Sequence, residues 1–481
     1  MPPASSPDLR DRSGDGASRA PDRAAKVRFR RAVTLMVMTL LLPGSAQLVA
    51  GNKRVGRIAI RIWVGIVGVA AVLFLLTLVW HQLAFKMAFS LFTLDLVRWL
   101  MMAAAIGWAA LFVDAWRLGQ PLTLVKNQRL AVVGINGVLC FSVAGTLLFG
   151  AHLVTVQRDF AALFANGPSS DAEHGRYNVL LMGGDSGAGR WGLRPDSMTV
   201  ASIDEETGRT VLIGLPRNLQ NFKFKPGSVM DEQFPDGFDC EGCYLNSVST
   251  WAGDHTDLFP KSKDPGTDAT ISAIEGVTGL KINYWAMVNL QGFKDLVDAV
   301  GGVTLTVRDR IPVGGLGSDV TGYIEPGTRK LNGFDALWYA RSREGSDDYS
   351  RMARQKCVMN AIATQISPQT VVANYSDLTS AGASMVETNL PRSEFPAFID
   401  LAVKAKNQKI SSVAIVPPAI NTAEPDLQKI KDMVQKGIDK AEGRAGKPGR
   451  PKANAQTNGA AIGTRDTGYA ANQSGDLASA C

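Results

Sequence analysis

Arginine is concentrated in one short stretch of this 481-residue chain. Leu337-Trp338-Tyr339-Ala340 runs into Arg341-Ser342-Arg343, and after a Gly345–Asp347 turn a helical pattern opens with Asp348, Arg351, Arg354 and Gln355. Four arginines within fourteen residues, with so few acids, are poor design for a solvated helix face. Guanidinium forks match phosphate oxygens, and helix N-termini favour anions. The spacing i, i+3, i+7 puts Asp348, Arg351 and Gln355 on one stripe, with Arg354 beside them. Arg341 and Arg343 flank one serine, so in an extended segment both side chains point to the same face and can grip one diphosphate.

A second constellation is acidic. The near-continuous apolar run Tyr177–Met182 ends in Gly183-Gly184-Asp185, which reads as a doubly covered central strand with Asp185 at its tip. Ser197–Ile203 and Thr210–Leu215 read as a hairpin with Gly208 in its turn. If Ile203 faces Thr210, counting outward sets Asp196 opposite Arg217, with Arg194 close by and Asp185 at the same edge. Alone, the Asp196–Arg217 pair would be a surface ion pair worth ~0.2–1 kcal/mol. Beside the arginine cluster it means more. Magnesium binds through one or two carboxylates plus substrate phosphates, so Asp185 and Asp196 are candidate Mg2+ ligands. The sum points to phosphoryl chemistry on a di- or polyphosphate.

Positioning these residues requires an α/β domain, predicted over 175–440: a central mixed β-sheet flanked by helices. Gln291–Val300 reads as a helix stopped by Gly301-Gly302, followed by the strand Val303–Val307; Ser393–Lys406, Ile410–Ile415 and Asp426–Gly437 read as helix, strand and helix. Before that domain the chain turns apolar. Residues 32–157 are predicted to form a helical membrane anchor with spans near 58–80, 95–116 and 130–154. Asp95 and Arg98 could pair near an interface. The stretch 32–51 carries Pro43-Gly44-Ser45 near its middle and basic residues on both flanks, so it is expected to be re-entrant or interfacial. Positive loops belong inside, which places the N-terminus in the cytoplasm and everything after Gln157 outside. Residues 1–31 and 441–481 lack an apolar period and are expected to be disordered.

Net charge is +7, but many of the basic residues sit beside the apolar runs, so membrane orientation explains them and nucleic acid is not expected as a partner. Four histidines show no metal-ligand spacing, and Cys240-x-x-Cys243 has no second ligand pair, which argues against a zinc enzyme. A Cys240–Cys243 disulfide is preferred over pairing with Cys357; Cys140 reads as a small apolar residue, and Cys481 has no evident role.

The ordered blocks NVLLMGGDS, RPDSMTVASID, VLIGLPRN, INYWAMVNLQGFKDLVDAVGGVTLTV, GFDALWYARSR and DDYSRMARQ resemble those of the LytR-CpsA-Psr proteins of Gram-positive cell envelopes, over roughly Asn178–Gly437. The basic multi-span N-terminus and the C-x-x-C look like an actinobacterial branch. The resemblance implies an α/β fold with an apolar groove for a polyprenyl chain. It implies a magnesium-dependent phosphotransferase that moves a glycopolymer from polyprenyl pyrophosphate to peptidoglycan, releasing polyprenyl phosphate. Asp185 and Asp196 then look like the magnesium-linked acids, and Arg217, Arg341, Arg343, Arg351, Arg354 and Gln355 like the pyrophosphate-binding set. Arg194 and Asp348 also match family positions, with Asp348 either a general base or an orienter of Arg351 or Arg343. Asn218, which cannot serve as an anion, stands where the family often has aspartate. A polyprenyl-pyrophosphate-binding protein or pyrophosphatase would use the same pocket. A transcriptional attenuator, an older label for the family, would need a helix-turn-helix and a cytoplasmic domain; neither is visible.

Overall fold

The computed structural model describes residues 15–80, 87–162, 164, 167, 169–185, 194–315, 317, 319–365, 374, 386–406, 408–444 and 469–481. The chain divides into two compact units at Arg158/Asp159.

The first unit is helical: α1 (Asp15–Leu41), α2 (Ser45–Ala50), α3 (Lys53–Val79), α4 (Leu91–Leu118) and α5 (Lys126–Ala162), which runs on into the second unit. Among the described residues three helices, Lys53–Leu76, Leu91–Thr123 and Lys126–Ala162, are long and apolar enough to cross a membrane. The first apolar stretch is broken between α1 and α2 at Gly44, whose φ of 95° suits glycine. A Cβ there would lie 2.7 Å from the Ala59 Cβ and 2.8 Å from the Gly56 carbonyl oxygen. Two hydrogen bonds tie this stretch to α4: Gln47 Nε2 donates to the Leu111 carbonyl at 2.9 Å, and Trp108 Nε1 donates to the Thr39 carbonyl at 3.0 Å. Two expectations are corrected. The leader is helical from Asp15, because Ala- and Arg-rich sequence propagates helix readily even without an apolar stripe; residues 1–14 lie outside the described residues. Asp95 pairs not with Arg98 but with Arg158 on α5, at 2.7 Å.

The second unit runs β1 (Arg176–Asp185), β2 (Arg194–Asp204), β3 (Thr210–Leu215), α6 (Val229–Gln233), α7 (Val248–Asp254), α8 (Pro265–Thr278), β4 (Tyr284–Asn289), α9 (Leu290–Ala299), β5 (Val303–Val307), β6 (Ile311–Gly314), β7 (Val320–Ile324), β8 (Gly327–Leu331), α10 (Gly333–Arg341), α11 (Asp348–Gln365), β9 (Val386–Thr388), α12 (Phe395–Ala405), β10 (Ser411–Ala414), α13 (Leu427–Ala441), α14 (Ala470–Gln473) and α15 (Leu477–Ala480). Six strands form one mixed sheet in the order β10-β3-β2-β1-β4-β9, and β5–β8 and β6–β7 form two small ribbons. β1 pairs antiparallel with β2 and parallel with β4.

Period-2 alternation explains the two layers. Val211, Ile213 and Leu215 point to one core with Leu180, Met198 and the helices α7, α8 and α13. Leu212 points to the opposite core, shared with Tyr339, Met352, Ala353 and Leu477. Covered on both faces, β3 is buried throughout. The hairpin turn uses Gly208 at φ 71°, and Ile203 faces Thr210 as the spacing predicts.

The tail is the largest departure. Residues 445–468 lie outside the described residues, but Tyr469–Cys481 is folded against the domain, with Tyr469, Ala471, Leu477 and Ala480 buried. Cys481 bonds to Cys357, while Cys240 bonds to Cys243. Short, widely spaced apolar residues in a small-residue segment carry no local period, so only the partner surface turns them into core.

Candidate functional site

Three elements meet at one corner: the tip of the β1–β2 pair, the residues after β3, and the first turns of α11. Met198 faces Leu215, so two residues outward Asp196 meets Arg217, and Arg217 Nη1 donates to Asp196 Oδ1 at 2.8 Å. Asp196 is not a regular ladder residue. Gly183 pairs with Ser197 and Gly184 with Pro195, so the register slips and Asp196 has no partner on β1. Such a bulge re-aims a side chain at a sheet edge. Asp185 and Arg194 are register partners at the end of the same pair.

Arg217 also binds the helix. Its Nε donates to Asp348 Oδ2 at 2.9 Å, so one guanidinium ties β3 to the start of α11. Asp348 Oδ1 accepts from Arg343 Nη1 at 3.4 Å and lies 3.7 Å from Arg351 Nε. Three guanidinium groups therefore crowd two carboxylates, leaving net positive charge. Burial pushes the Asp196 carboxyl up, but its Arg217 bond and the charges of Arg351 and Arg343 hold it below the usual carboxylate range. Asp348 is likewise raised by burial and, more strongly, held down by Arg351, Arg217 and Arg343. Burial, opposed by Asp348, lowers Arg351 to about 10. Asp348 thus faces three arginines, bonded to Arg217 and Arg343 and close to Arg351, a geometry that orients their guanidinium groups.

Two donors are left over. Arg343 Nε and Arg351 Nε are buried without a hydrogen-bond partner. Buried donors normally have partners, and these two N–H groups stand beside surplus positive charge. The Ser342 Oγ beside them is also buried and unpartnered.

The remaining predicted residues divide by role. Gln355 accepts from Ser197 Oγ at 3.0 Å and donates to the Ala340 carbonyl at 3.2 Å, fastening α11 to β2 and α10. Arg354, 2% exposed, is spent on structure: Nε donates to the Tyr339 carbonyl and Nη1 to Ser350 Oγ, both at 2.7 Å, and Nη2 to the Ser342 carbonyl. It shapes the loop that presents Arg343. Arg341 ends α10, with its guanidinium 5.7 Å from the Trp338 ring centroid. Ser342 and Arg343 follow outside the helix, so the backbone is not extended through Arg341, contrary to the sequence expectation. Ser197, Ser342 and Asp347 were missed. Only Asp347 had a signal: an aspartate just before the helix that caps the Ser350 amide at 2.7 Å.

Asp196 suits a magnesium-bridged phosphate in part. It is 40% exposed, and only its Oδ1 is engaged by Arg217. Among the described residues no three His, Cys, Asp or Glu side chains cluster at metal distance, so a cation here would depend on substrate oxygens, as magnesium commonly does. A separate cavity of about 740 Å3 lies at the Arg176 end of β1. There Arg176 is engaged by Glu442, Ser202 and the Arg209 carbonyl, and Arg444 is paired with Glu442 and Asp439.

Against known proteins, the model of the LytR_cpsA_psr family matches residues 155–429. The chain is 27% identical over 271 residues to Biofilm regulatory protein A of Streptococcus mutans serotype c, covering 54% of this chain and 62% of that protein. It is 24% identical over 278 residues to the polyisoprenyl-teichoic acid–peptidoglycan teichoic acid transferase TagV of Bacillus subtilis, covering 55% and 65%. The chain thus spans less than two thirds of these relatives' length. The crystal structure of B. subtilis TagV superposes with a TM-score of 0.42 at 22% identity, over 56% of this chain and 98% of that one.

Proposed function

The chain belongs to the LytR-CpsA-Psr family, and from that premise we propose that it is a membrane-anchored, extracytoplasmic phosphotransferase. In this reading it attaches a polyprenyl-pyrophosphate-linked glycopolymer to peptidoglycan. One observation carries the proposal: the anchored arginines Arg217, Arg343 and Arg351 converge on Asp348 and Asp196 with two buried guanidinium N–H groups unpartnered. A diphosphate supplies the acceptors those donors lack.

The chain's residues would act by position and charge. Arg343 and Arg351 hold the pyrophosphate oxygens, and Arg217, fixed between Asp196 and Asp348, stays aligned as charge shifts. A peptidoglycan hydroxyl oxygen attacks the sugar-linked phosphorus and forms the new P–O bond. The bond from that phosphorus to the bridging oxygen breaks, its electron pair leaves with polyprenyl phosphate, and the hydroxyl proton passes to water. Magnesium, held by Asp185 and Asp196, would neutralise charge on the diphosphate. The prenyl chain would occupy an apolar groove of the α/β fold. The basic loops put the N-terminus inside and the α/β unit outside.

The test uses the full chain in detergent with a lipid-linked saccharide pyrophosphate, peptidoglycan and Mg2+. Transfer of the saccharide with release of polyprenyl phosphate is expected. Hydrolysis without transfer would make the protein a pyrophosphatase, and binding without turnover would make it a carrier.

A further inference from the structure

The segment Tyr469–Cys481 touches the helix that carries the arginines at both ends. Tyr469 OH donates to Asp347 Oδ2 at 2.9 Å, and Asn472 Nδ2 donates to the Tyr349 carbonyl at 2.9 Å. At the other end Cys481 is bonded to Cys357 on α11. Between them the segment is laced to the β10 side by Ser412 N to the Ser474 carbonyl and Leu477 N to the Ile410 carbonyl, each 2.9 Å. Tyr469, Asn472 and Leu477 are buried.

Asp347 is where this matters. Its Oδ1 caps the Ser350 amide while its Oδ2 is held by Tyr469. A cap satisfies an otherwise orphan amide and so stabilises a helix's first turn. That turn contains Asp348 and Arg351, and Asp348 in turn fixes Arg217 and, through it, Asp196. A continuous path of short bonds therefore runs from Tyr469 to the sheet edge.

We propose that residues 469–481 form a disulfide-tethered strap that holds the first turn of α11 in register, with Tyr469 as a positioning residue for Asp348 and Arg351. What this does for substrate rests on the phosphotransferase reading; the mechanical part does not. Without the Tyr469 hydroxyl, Asp347 loses one of its two anchors, the cap loosens, and the arginines drift from their shared carboxylate.

The experiment compares the parent, Tyr469→Phe and Cys481→Ser as full chains in detergent. Amide hydrogen exchange at Ser350 reads the cap without any ligand, and affinity for geranylgeranyl pyrophosphate reads the site. Tyr469→Phe should speed Ser350 exchange about tenfold and weaken binding by a similar factor, as expected for one lost bond to a carboxylate. Exchange in α13 should stay unchanged. In an Asp348→Asn background the same Tyr469→Phe change should cost little further affinity. Unchanged Ser350 exchange overturns the strap. Faster exchange with unaltered affinity, or an equal loss in the Asp348→Asn background, overturns the link to the site. If the parent itself does not bind the pyrophosphate, the phosphotransferase reading falls and the exchange result alone decides the strap. Cys481→Ser should move exchange and affinity in the same direction as Tyr469→Phe; parent-like values in it would show the tether to be idle.

Discussion

Lys356 follows Gln355 on α11 and is 1% exposed, wedged over β3. A Cβ on Gly214 would lie 2.9 Å from its Cε and 3.2 Å from its Nζ. The Nζ reaches one acceptor, the Val413 carbonyl, at 3.4 Å. Burial lowers its pKa from 10.5 to about 7. Above pH 10.5 the amine is neutral in both folded and unfolded chains and costs nothing. As pH falls toward 7 the unfolded chain takes up a proton that the folded chain refuses, and stability drops by about 1.4 kcal/mol per unit. Below 7 the folded protein also protonates and the penalty levels off. At pH 7 the cost is about 4 kcal/mol, and between pH 7 and 9 stability should rise by about 2 kcal/mol from this group. Lys356→Met keeps the length, removes the charge and gives up one long hydrogen bond worth about 1 kcal/mol. The variant should therefore be more stable than the parent at pH 7, by about 3 kcal/mol, and should lose the Lys356 part of the pH slope. Urea midpoints from pulse proteolysis of the full chain in detergent, at pH 7 and 9, measure both. A destabilised variant, or one with the parent's slope, would refute the claim that Lys356 is a buried, unsolvated amine.

Other outcomes follow from the site. Asp196→Asn should retain most affinity for geranylgeranyl pyrophosphate but lose about 100-fold in turnover, whereas Arg343→Ala should lose about tenfold in affinity, because its charge meets one already present on the substrate; paired binding and transfer assays separate them. Arg354→Met strands the Tyr339 and Ser342 carbonyls and should lower the urea midpoint by about 3 kcal/mol equivalent, with Arg354→Lys recovering only part. Because Asp196 and Asp348 are held below the usual range, their stabilisation is complete above the ordinary aspartate pKa of about 3.9 and lost as pH falls through the depressed values. Asp196→Asn should then cost the same stability at pH 5 as at pH 7 by urea midpoint, and a difference centred between them would contradict the pairing. A reporter active only outside should work when fused after Gln157 and fail after Gly51; activity at Gly51 would overturn the proposed topology.

Much of the site was legible because its geometry is local. Turn length and period-2 alternation set the β2–β3 register, so Asp196 facing Arg217 follows from counting along a hairpin. Helical spacing aligned Asp348, Arg351 and Gln355, and an arginine density too high for a solvated face marked the buried arginine cluster. The three apolar helices and the break at Pro43-Gly44 are equally local, set by hydropathy and backbone freedom.

What the tertiary structure decided depends on contacts between distant segments. Arg354 has the same side chain as Arg351, yet it faces the Tyr339–Ser342 backbone and becomes scaffold, while Arg351 keeps a free donor. Nothing in a local pattern separates them. Helix α10 continues through Arg341, one residue further than an extended clamp allows, because its end is fixed by packing and by Arg354. Lys356 is buried only because Gly214 leaves room on β3. Tyr469 and Cys481 find their partners at Asp347 and Cys357, more than a hundred residues away. Periodicity reports which face of an element is apolar; which surface will meet that face is an energy shared across the chain, and it exists only once the chain has folded.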